Sequence, residues 1–447
     1  MVFRRKIYDK LLAWKKSSDG HTAVLLEGAR RVGKSFVAKQ FGKENYRSFV
    51  MIDFARPKKR VVEAILQHPD DLDRIFNSIQ FEYNVVLHER NSLIVFDEVQ
   101  RCPEARQLIK YLVADGRYDY IETGSLVSIK MNVRDITIPS EEEALELTPL
   151  DFEEFCTAMG DKVTFPFIGE KFGKREPMGT SFHETVMERY CEYLCVGGMP
   201  QVVEDYIAHR NLARVDGVKR TILRLYHDDI AKFAGVHAGK VRRIFEEIPG
   251  QLSKKEKKYV LSSISKSARM REYEDSFMWL WDAKIVNPCF NATDPAVGMR
   301  LSSDFSTQKL YMGDTGLLMA MVLGDEAETS EAIYRGVYYG DVYFNKGMIA
   351  ENAVAQAFRA SGRDLYFYSR STPETRKNGI EIDFLIRRGD KICPIEVKSG
   401  NYRSHSSIDK FVGKFGERIG EPVILYTKDV MEKEGILHLP LYMAQLL

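Results

Sequence analysis

Several features are scarce or missing in this sequence of 447 residues. Its six cysteines include no C-x-x-C pair, which argues against a zinc ribbon or a disulfide framework and favours buried thiols in a reducing cytosol. No apolar run reaches the length of a membrane span, and the basic N-terminus has no apolar signal core. The net charge of +1 shows no general excess of basic residues. We therefore expect a cytoplasmic protein without membrane contacts, in which any basic surface is local.

A glycine-rich segment near the N-terminus is the most informative feature. It reads Gly-Ala-Arg-Arg-Val-Gly-Lys-Ser, follows an apolar run typical of a strand and precedes a predicted helix. Glycines let the backbone wrap a phosphate chain, and the loop N–H groups with the helix N-terminus supply positive partial charge. In such a loop Lys34 would contact the β- and γ-phosphates and Ser35 would bind Mg²⁺, which predicts ATP and Mg²⁺ as ligands. The predicted nucleotide-binding residues are Gly28, Arg31, Val32, Gly33, Lys34, Ser35 and Phe36.

A second motif follows another apolar run, which predicts a buried parallel strand ending at Asp97 and Glu98. The carboxyl end of such a strand lies beside the phosphate loop in a doubly wound sheet. We therefore predict that Asp97 holds Mg²⁺ and that Glu98 polarises the water that attacks the γ-phosphate. A third predicted strand ends near Thr123 and Ser125. Either hydroxyl is a candidate contact to the γ-phosphate, and an ordinary strand-to-loop turn explains both equally well.

The middle of the chain carries weaker signals. Residues 141–143 are acidic and predict a loop, and residues 160–180 are rich in Gly, Pro and Lys and predict a connection. Residues 236–330 show helices followed by two short strands, an order that suits a winged-helix module. The basic cluster at residues 254–258 would either contact phosphates or form a solvated helix end. The glutamate within it favours the solvated end.

A predicted β-hairpin lies near the C-terminus. Its strands cover residues 380–387 and 391–398, and a Gly-Asp pair between them suits a two-residue turn. In that register Asp383 lies opposite Glu396, at about 5 Å, where two like charges are unfavourable. A divalent cation between them would remove the repulsion.

The same hairpin places Lys398 on the face that carries the two carboxylates. The resulting D-x12-E-x-K pattern is the arrangement that a metal-dependent phosphodiesterase needs, with Asp383 and Glu396 as ligands and Lys398 as a catalytic residue. A cross-strand ion pair between Glu381 and Lys398 explains part of the pattern without a metal. Pro394 would also disturb the strand pairing.

Several motifs, taken in order, resemble a prokaryotic family of AAA-plus ATPases in which a domain of unknown function follows the ATPase. They are the phosphate loop, Val95-Phe-Asp-Glu-Val-Gln100, Thr123-Gly-Ser125, Leu147-Thr-Pro-Leu-Asp-Phe-Glu-Glu-Phe155, Gly197-Gly-Met-Pro200, Lys309-Leu-Tyr-Met-Gly-Asp-Thr-Gly-Leu317 and Pro394-Ile-Glu-Val-Lys-Ser399. The tail of that family looks like the PD-(D/E)xK restriction-endonuclease fold, which would add Glu351 to the nuclease residues Asp383, Glu396 and Lys398. Family members often show Gly-Arg after the third strand, and here Arg134 is the candidate arginine finger.

Together these features predict an α/β protein with a P-loop AAA-plus core, a helical and winged-helix middle region and a restriction-endonuclease-like C-terminal domain. The predicted segments are 1–155 for the ATPase core, 156–235 for a helical lid or linker, 236–330 for the winged-helix-like module and 331–447 for the nuclease-like domain. One interpretation is an Mg²⁺-dependent ATPase whose C-terminal domain engages DNA, with cleavage through a second Mg²⁺ or Mn²⁺. The alternative is a nucleotide-controlled switch or scaffold for a protein partner, with an inactive nuclease-like domain. The sequence leaves open whether the protein is a monomer or a homo-oligomer.

Overall fold

Apolar runs in the N-terminal part of the chain build a parallel sheet that is covered on both faces. Along β1 and β3, successive side chains alternate between two buried clusters: Leu25 and Phe96 belong to one, and Leu26 and Val95 belong to the other. The five strands are β1 (Ala23–Glu27), β2 (Ser48–Asp53), β3 (Ser92–Asp97), β4 (Asp119–Thr123) and β5 (Glu142–Glu146). They pair in parallel in the order β2-β3-β4-β1-β5. The α/β core expected from the sequence is therefore confirmed.

Among the described residues, five helices cover this sheet. They are α1 (Ile7–Ser18), α2 (Lys34–Asn45), α3 (Lys59–Gln67), α4 (Leu72–Tyr83) and α5 (Pro103–Asp115). Buried side chains of α1 and α2 belong to one cluster, whereas those of α3, α4 and α5 belong to the other. Because all five strands run in parallel, their carboxyl ends meet at one edge of the sheet, where loops that bind ligands are normally found.

The strand β5 corrects the sequence-based interpretation of residues 141–143 as a loop. Its sequence is acidic, yet it pairs in parallel with β1 along its whole length. Two of its carboxylates have polar partners: the Thr22 hydroxyl donates to Glu143, and the buried Arg106 contacts Glu142 at 3.1 Å. These donors come from distant parts of the chain, so the sequence pattern of β5 alone does not show them.

The computed structural model describes residues 3–124, 141–254, 258–261, 269–324, 329–339, 345–370, 379–400 and 405–447. The chain divides into two units, one formed by residues 2–148 with 282–284 and the other by the rest of the chain. Among the described helices, none combines the length and the apolar character needed to cross a lipid bilayer.

The second unit begins with a run of helices, and further helices lie between its strands. In order along the chain, the described α-helices of this unit are α6 (Phe152–Ala158), α7 (Thr164–Lys174), α8 (Thr180–Val196), α9 (Pro200–His209), α10 (Leu212–Phe233), α11 (Ala238–Leu252), α12 (Glu274–Asp282), α13 (Thr315–Val322), α14 (Glu331–Tyr339), α15 (Lys346–Ala360) and α16 (Ser406–Phe415). The helix α7 corrects the interpretation of residues 160–180 as a connection. Asp161 starts it by accepting hydrogen bonds from the backbone N–H groups of Val163 and Thr164.

Two of the quoted motifs meet inside this unit. Asp314, which is buried, accepts a hydrogen bond from the N–H of Gly198 at 2.6 Å and caps α13 through the N–H of Leu317 at 2.9 Å. A side chain at Gly197 would collide with the same carboxylate, because its Cβ would lie 2.4 Å from Asp314 Oδ1. These contacts give the Gly-Gly-Met-Pro and Asp-Thr-Gly segments a structural role.

A mixed sheet of eight strands forms the rest of the second unit. The strands are β6 (Val286–Ala292), β7 (Ser303–Met312), β8 (Leu365–Arg370), β9 (Ile380–Arg388), β10 (Lys391–Lys398), β11 (Val423–Tyr426), β12 (Met431–Lys433) and β13 (Ile436–Pro440), in the order β12-β13-β11-β10-β9-β8-β6-β7. Within it, β8, β9 and β10 pair antiparallel, and β10 pairs in parallel with β11. With α15 before β8 and α16 between β10 and β11, the chain order is helix, three strands, helix and strand.

The register predicted for the β9–β10 hairpin is confirmed. Arg388 pairs with Lys391, and the ladder continues to Phe384 and Ile395. The sequence analysis expected Pro394 to disturb the strand pairing. The ladder includes Pro394, so this expectation is wrong. The Asp383–Glu396 neighbourhood therefore follows from the turn alone.

The strands predicted as a wing are β6 and β7. They pair antiparallel with each other, as a wing would, but β6 also pairs in parallel with β8. The hairpin is thus the edge of the eight-stranded sheet, and the predicted boundary at residue 330 divides that sheet. The β6–β8 pairing joins segments far apart in the chain, which local sequence patterns do not reveal.

Candidate functional site

The phosphate loop lies between β1 and α2, at the carboxyl edge of the five-stranded sheet. Gly28 has φ of 150° and approaches another backbone segment so closely that its Cβ would lie 2.3 Å from the carbonyl oxygen of Leu147. Gly33 has φ of 101° and leads directly into α2. Both positions need glycine, because a side chain is strained at such angles or has no room. The result is a tight turn whose N–H groups precede a helix N-terminus.

A buried arginine, which the sequence analysis did not single out, contacts the backbone of the loop. Arg5 is buried and donates to the carbonyl oxygen of Val32 at 3.3 Å and to that of Thr148 at 2.5 Å. Val32 itself is fully buried. The buried valine and the arginine together fix the middle of the loop, so that its exposed side stays open to solvent.

The two residues that end the loop point in different directions. Lys34 donates to the carbonyl oxygens of Gly28 at 2.8 Å and Ala29 at 3.0 Å, so its ammonium group lies over the loop. The Ser35 hydroxyl donates to Asp97 Oδ1 at 2.6 Å. The structure therefore brings the end of the phosphate loop and the end of β3 into direct contact, as the sequence predicted.

A third strand contributes to the same point. β4 lies between β1 and β3 in the sheet, and the Thr123 hydroxyl at its end donates to the same Asp97 oxygen. Ser35, Asp97 and Thr123 thus form one polar cluster. Hydroxyl and carboxylate oxygens are the ligands that Mg²⁺ prefers, so this cluster fits the metal that a P-loop implies. Ser125 and Arg134, the other predicted candidates of this region, lie outside the described residues.

Glu98 lies directly beyond β3 in a left-handed backbone conformation, with φ of 56°. Such a conformation is uncommon for a residue other than glycine and is concentrated at functional sites. Its carboxylate accepts a hydrogen bond from the side chain of Gln100 at 2.8 Å. Gln100 belongs to the quoted motif, but the sequence pattern alone assigns no role to it. The structure shows that it orients Glu98.

Two further residues of the predicted loop are placed at its rim. Arg31 is exposed and also has a positive φ, of 71°. Phe36, on the first turn of α2, leaves 46% of its surface exposed, which is unusual for a phenylalanine. Both side chains are therefore available to a ligand lying in the loop, and their assignment to nucleotide binding stays a prediction.

The C-terminal carboxylates come together at the β9–β10 hairpin. Asp383 Oδ2 accepts a hydrogen bond from the N–H of Val397 at 2.9 Å. Glu396 is buried, and its carboxylate lies 2.5 Å from the ammonium group of Lys398. The structure thus places Asp383, Glu396 and Lys398 side by side. The ion pair of Lys398 is made with Glu396, not with Glu381 as the alternative interpretation had it.

A second lysine, Lys309 on β7, enters this cluster from the neighbouring part of the sheet. Its side chain is fully buried, and Nζ lies 3.2 Å from Glu381 and 3.6 Å from Asp383. Burial works against its charge, but the nearby carboxylates of Asp383, Glu351 and Glu381 raise the pKa of Lys309 above its ordinary value. The lysine is therefore a permanent cation inside the cluster.

The predicted fourth acid also has a neutral partner. Glu351 on α15 is buried and accepts a hydrogen bond from the Tyr311 hydroxyl at 3.2 Å. Burial raises the pKa of Glu396 above its ordinary value, although Lys398 opposes the shift. Within the described ranges, no group of three or more His, Cys, Asp and Glu side chains is arranged to hold a metal ion. Asp383, Glu396 and Glu351 each already contact a hydrogen-bond donor or an ammonium group, so a divalent cation would compete with these contacts.

The position of Lys309 within an apolar stretch of sequence is a signal that could have identified it. A lysine directly before Leu-Tyr-Met, within a strand that is otherwise buried at this end, needs a charged partner. The partner could not be named, because β7 and β9 come together only through β6 and β8.

Three family models match successive parts of the chain. Residues 20–156 match an AAA domain. Residues 187–329 match a domain of unknown function, DUF8612, and residues 346–442 match a second domain of unknown function, DUF4143. Among curated proteins, none matches the chain.

Several solved structures are similar to this chain at low identity. A Walker-type ATPase of Pyrococcus abyssi shares 15% identity over 72% of this chain and 96% of its own, with a TM-score of 0.41. The Aeropyrum pernix ORC1 protein, in a complex with DNA, shares 13% over 73% of this chain and 93% of its own, with a TM-score of 0.24. Both TM-scores are too low to establish a common fold. The AAA match and the phosphate loop at β1 show that residues 20–156 of this chain form an AAA-plus ATPase domain.

Proposed function

We propose that this ATPase uses Mg²⁺ and that its C-terminal region engages DNA. The observation that carries the metal assignment is the 2.6 Å contact between the Ser35 hydroxyl and Asp97 at the end of the phosphate loop. Mg²⁺ bound there would neutralise charge on the β- and γ-phosphates. Both side chains offer oxygen ligands, and both lie where the phosphates of a nucleotide in the loop would end.

The proposed reaction follows from the positions of two side chains. Lys34 lies over the loop and would exchange its two carbonyl contacts for the β- and γ-phosphate oxygens of ATP. Glu98, held by Gln100, would orient a water molecule for in-line attack on the γ-phosphorus and accept its proton. Thr123 would then contact the γ-phosphate from the end of β4. This assigns hydrolysis to positioning and charge, as phosphoryl transfer requires.

DNA engagement rests on the second unit. The order helix, three antiparallel strands, helix and parallel strand supports a restriction-endonuclease-like domain within residues 331–447, which we propose as a DNA-binding element. The helices α11 and α12 followed by the β6–β7 hairpin keep the order of a winged-helix-like module within 236–330. Arg242 and Arg243 on α11 are exposed and offer local positive charge for phosphates. The division at residues 155, 235 and 330 remains a prediction.

A second function, a nucleotide-controlled switch with a protein partner, is favoured by one observation. The segment between β6 and β7 and the start of β7 expose apolar side chains: Leu301 leaves 95% of its surface exposed, Phe305 on β7 50% and Val297 46%. Clustered exposed apolar groups are typical of protein-binding surfaces. In this function the C-terminal domain would be a scaffold without nuclease activity.

The deciding experiment is steady-state ATP hydrolysis with Mg²⁺, measured with and without duplex and single-stranded DNA. We expect DNA to stimulate hydrolysis and Glu98→Gln to abolish the stimulated rate while ATP still binds. Lys34→Ala should abolish ATP binding itself, because the loop then lacks its mobile cation. A folded Lys34→Ala protein that binds ATP tightly would refute the phosphate-loop assignment. A slow rate that DNA does not change would reject DNA engagement in favour of the protein-partner switch.

A further inference from the structure

We propose that the Lys309 ammonium group occupies the place of a divalent cation in the Asp383–Glu396 cluster, so that the C-terminal domain binds its ligand without metal-dependent cleavage. That the ligand is DNA rests on the proposed function. The exclusion of the divalent cation is independent of the proposed function, because it depends only on the side chains of the cluster.

The placement of Lys309 is built into the sheet. It lies on β7 opposite Cys289 of β6, and β6 pairs in turn with β8, next to β9. Its side chain has no exposed surface, so the ammonium group cannot turn towards water. Within the described residues, Nζ makes its ion pairs with Glu381 and Asp383 but no well-aligned hydrogen bond. The ammonium group also lies over the Phe367 ring, 5.0 Å from its centroid, so the contacts that hold it depend on its charge.

Geometry then leaves little room for a metal ion. Mg²⁺ or Mn²⁺ bound to Asp383 Oδ1 would lie roughly 2 Å from that oxygen. The ammonium group of Lys309 lies 3.6 Å from the same oxygen. The two cations would be at most about 6 Å apart in a partly buried cluster, where like charges repel more strongly than they do in open solvent.

The other ligand positions are also filled. The second oxygen of Asp383 accepts the N–H of Val397, and the Glu396 carboxylate is paired with Lys398 at 2.5 Å. Two lysines therefore neutralise the two carboxylates that a nuclease would use for its metal. Without a metal ion no hydroxide nucleophile forms at neutral pH, and a phosphodiester bound here would stay intact.

The test is Mn²⁺ binding to the full-length protein without nucleotide, measured by calorimetry and by the electron paramagnetic resonance signal of free Mn²⁺. The Ser35–Asp97 cluster is present in every variant and supplies a constant background. We expect Lys309→Met, which keeps the length of the side chain and removes the charge, to gain one Mn²⁺ site at least tenfold tighter than any corresponding site of the unchanged protein. Asp383→Asn in the same chain should remove the gain. Lys309→Arg, the charge-preserving control, should bind no additional Mn²⁺.

Three results would overturn the proposal. The unchanged protein could bind a second Mn²⁺ that Asp383→Asn removes, or cleave duplex DNA in Mn²⁺ with the same dependence on Asp383. A folded Lys309→Met protein that gains no site would also overturn it. Should Lys309→Met fail to fold, as circular dichroism would show, the comparison of the unchanged protein with Asp383→Asn still decides. Loss of DNA-stimulated ATP hydrolysis would refute only the proposed function, since the cation measurement uses neither DNA nor ATP.

Discussion

Replacing Gly28 with alanine tests the geometry of the phosphate loop most directly. The new Cβ would lie 2.3 Å from the carbonyl oxygen of Leu147, whereas real Cβ atoms almost never approach other atoms within 3.0 Å. One of the two backbone segments must therefore move by about 0.7 Å or more. The φ of 150° adds strain of about 1–3 kcal/mol for any residue with a side chain. The displaced N–H groups are the ones that would hold the phosphates.

From these two effects we expect the free energy of unfolding of the ATPase unit to fall by about 2–3 kcal/mol. The affinity for ATP should fall by roughly thirtyfold or more, since loss of 1.4 kcal/mol of phosphate contacts is already about tenfold. Titration with a fluorescent ATP analogue and thermal unfolding measure the two quantities separately.

The matched control is Gly116→Ala in the same unit. Gly116 also has a positive φ, of 74°, but no atom lies within 4 Å of the position its Cβ would take. It should lose about 1–2 kcal/mol of stability and keep its affinity for ATP, because only the left-handed conformation is strained. If Gly28→Ala binds ATP within about threefold of the unchanged protein, the close approach at Leu147 does not shape the nucleotide site and our reasoning is refuted.

Three other predictions concern single side chains. Gln100→Leu should lower kcat about tenfold and leave KM unchanged, because Glu98 loses the donor that orients it. A loss of about tenfold in ATP affinity would instead show a general disturbance of the loop. Asp314→Ala should lower the free energy of unfolding by about 2–4 kcal/mol, because the N–H of Gly198 and the start of α13 both lose their acceptor. Asp314→Asn keeps one acceptor oxygen and should lose less stability. Equal losses in the two variants would contradict this account. Burial raises the pKa of the Cys102 thiol to about 11, so at pH 8 iodoacetamide should alkylate it roughly a hundredfold more slowly than free cysteine, and alkylation at the free rate in the folded protein would contradict its burial.

The parts of the fold that the sequence predicted are those that depend on local patterns. The phosphate loop, the strand before Asp97 and the β9–β10 turn are each specified within a few residues. The register of that hairpin followed from a two-residue turn, because turn length fixes which residues pair. The start of helix α6 is also a local feature, because Asp151 and Glu154 form a capping box.

The parts that the sequence missed depend on partners far away in the chain. The acidic strand β5 resembles a loop until Arg106 is seen beside Glu142. The ladder between β6 and β8, which joins the β6–β7 pair to the eight-stranded sheet, was not predicted. One partner of Lys309 on β7 is Asp383, which lies on a strand that is not adjacent to β7 in the sheet. In each case a charge or a hydrogen-bonding edge is satisfied by contacts that no short window contains.

The two carboxylate clusters of this chain differ in what their acids contact, and that difference predicts different chemistry. Asp97 is held by the hydroxyls of Ser35 and Thr123, which are neutral and can rotate to present oxygen to a metal ion. A cation arriving there gains oxygen ligands. Asp383 and Glu396 are held by ammonium groups, which present only hydrogens and keep their charge. A cation arriving there must first displace a buried lysine. Under the two proposals, the same acidic residue type binds a metal ion at the end of β3 and pairs with lysine side chains at the hairpin of β9 and β10.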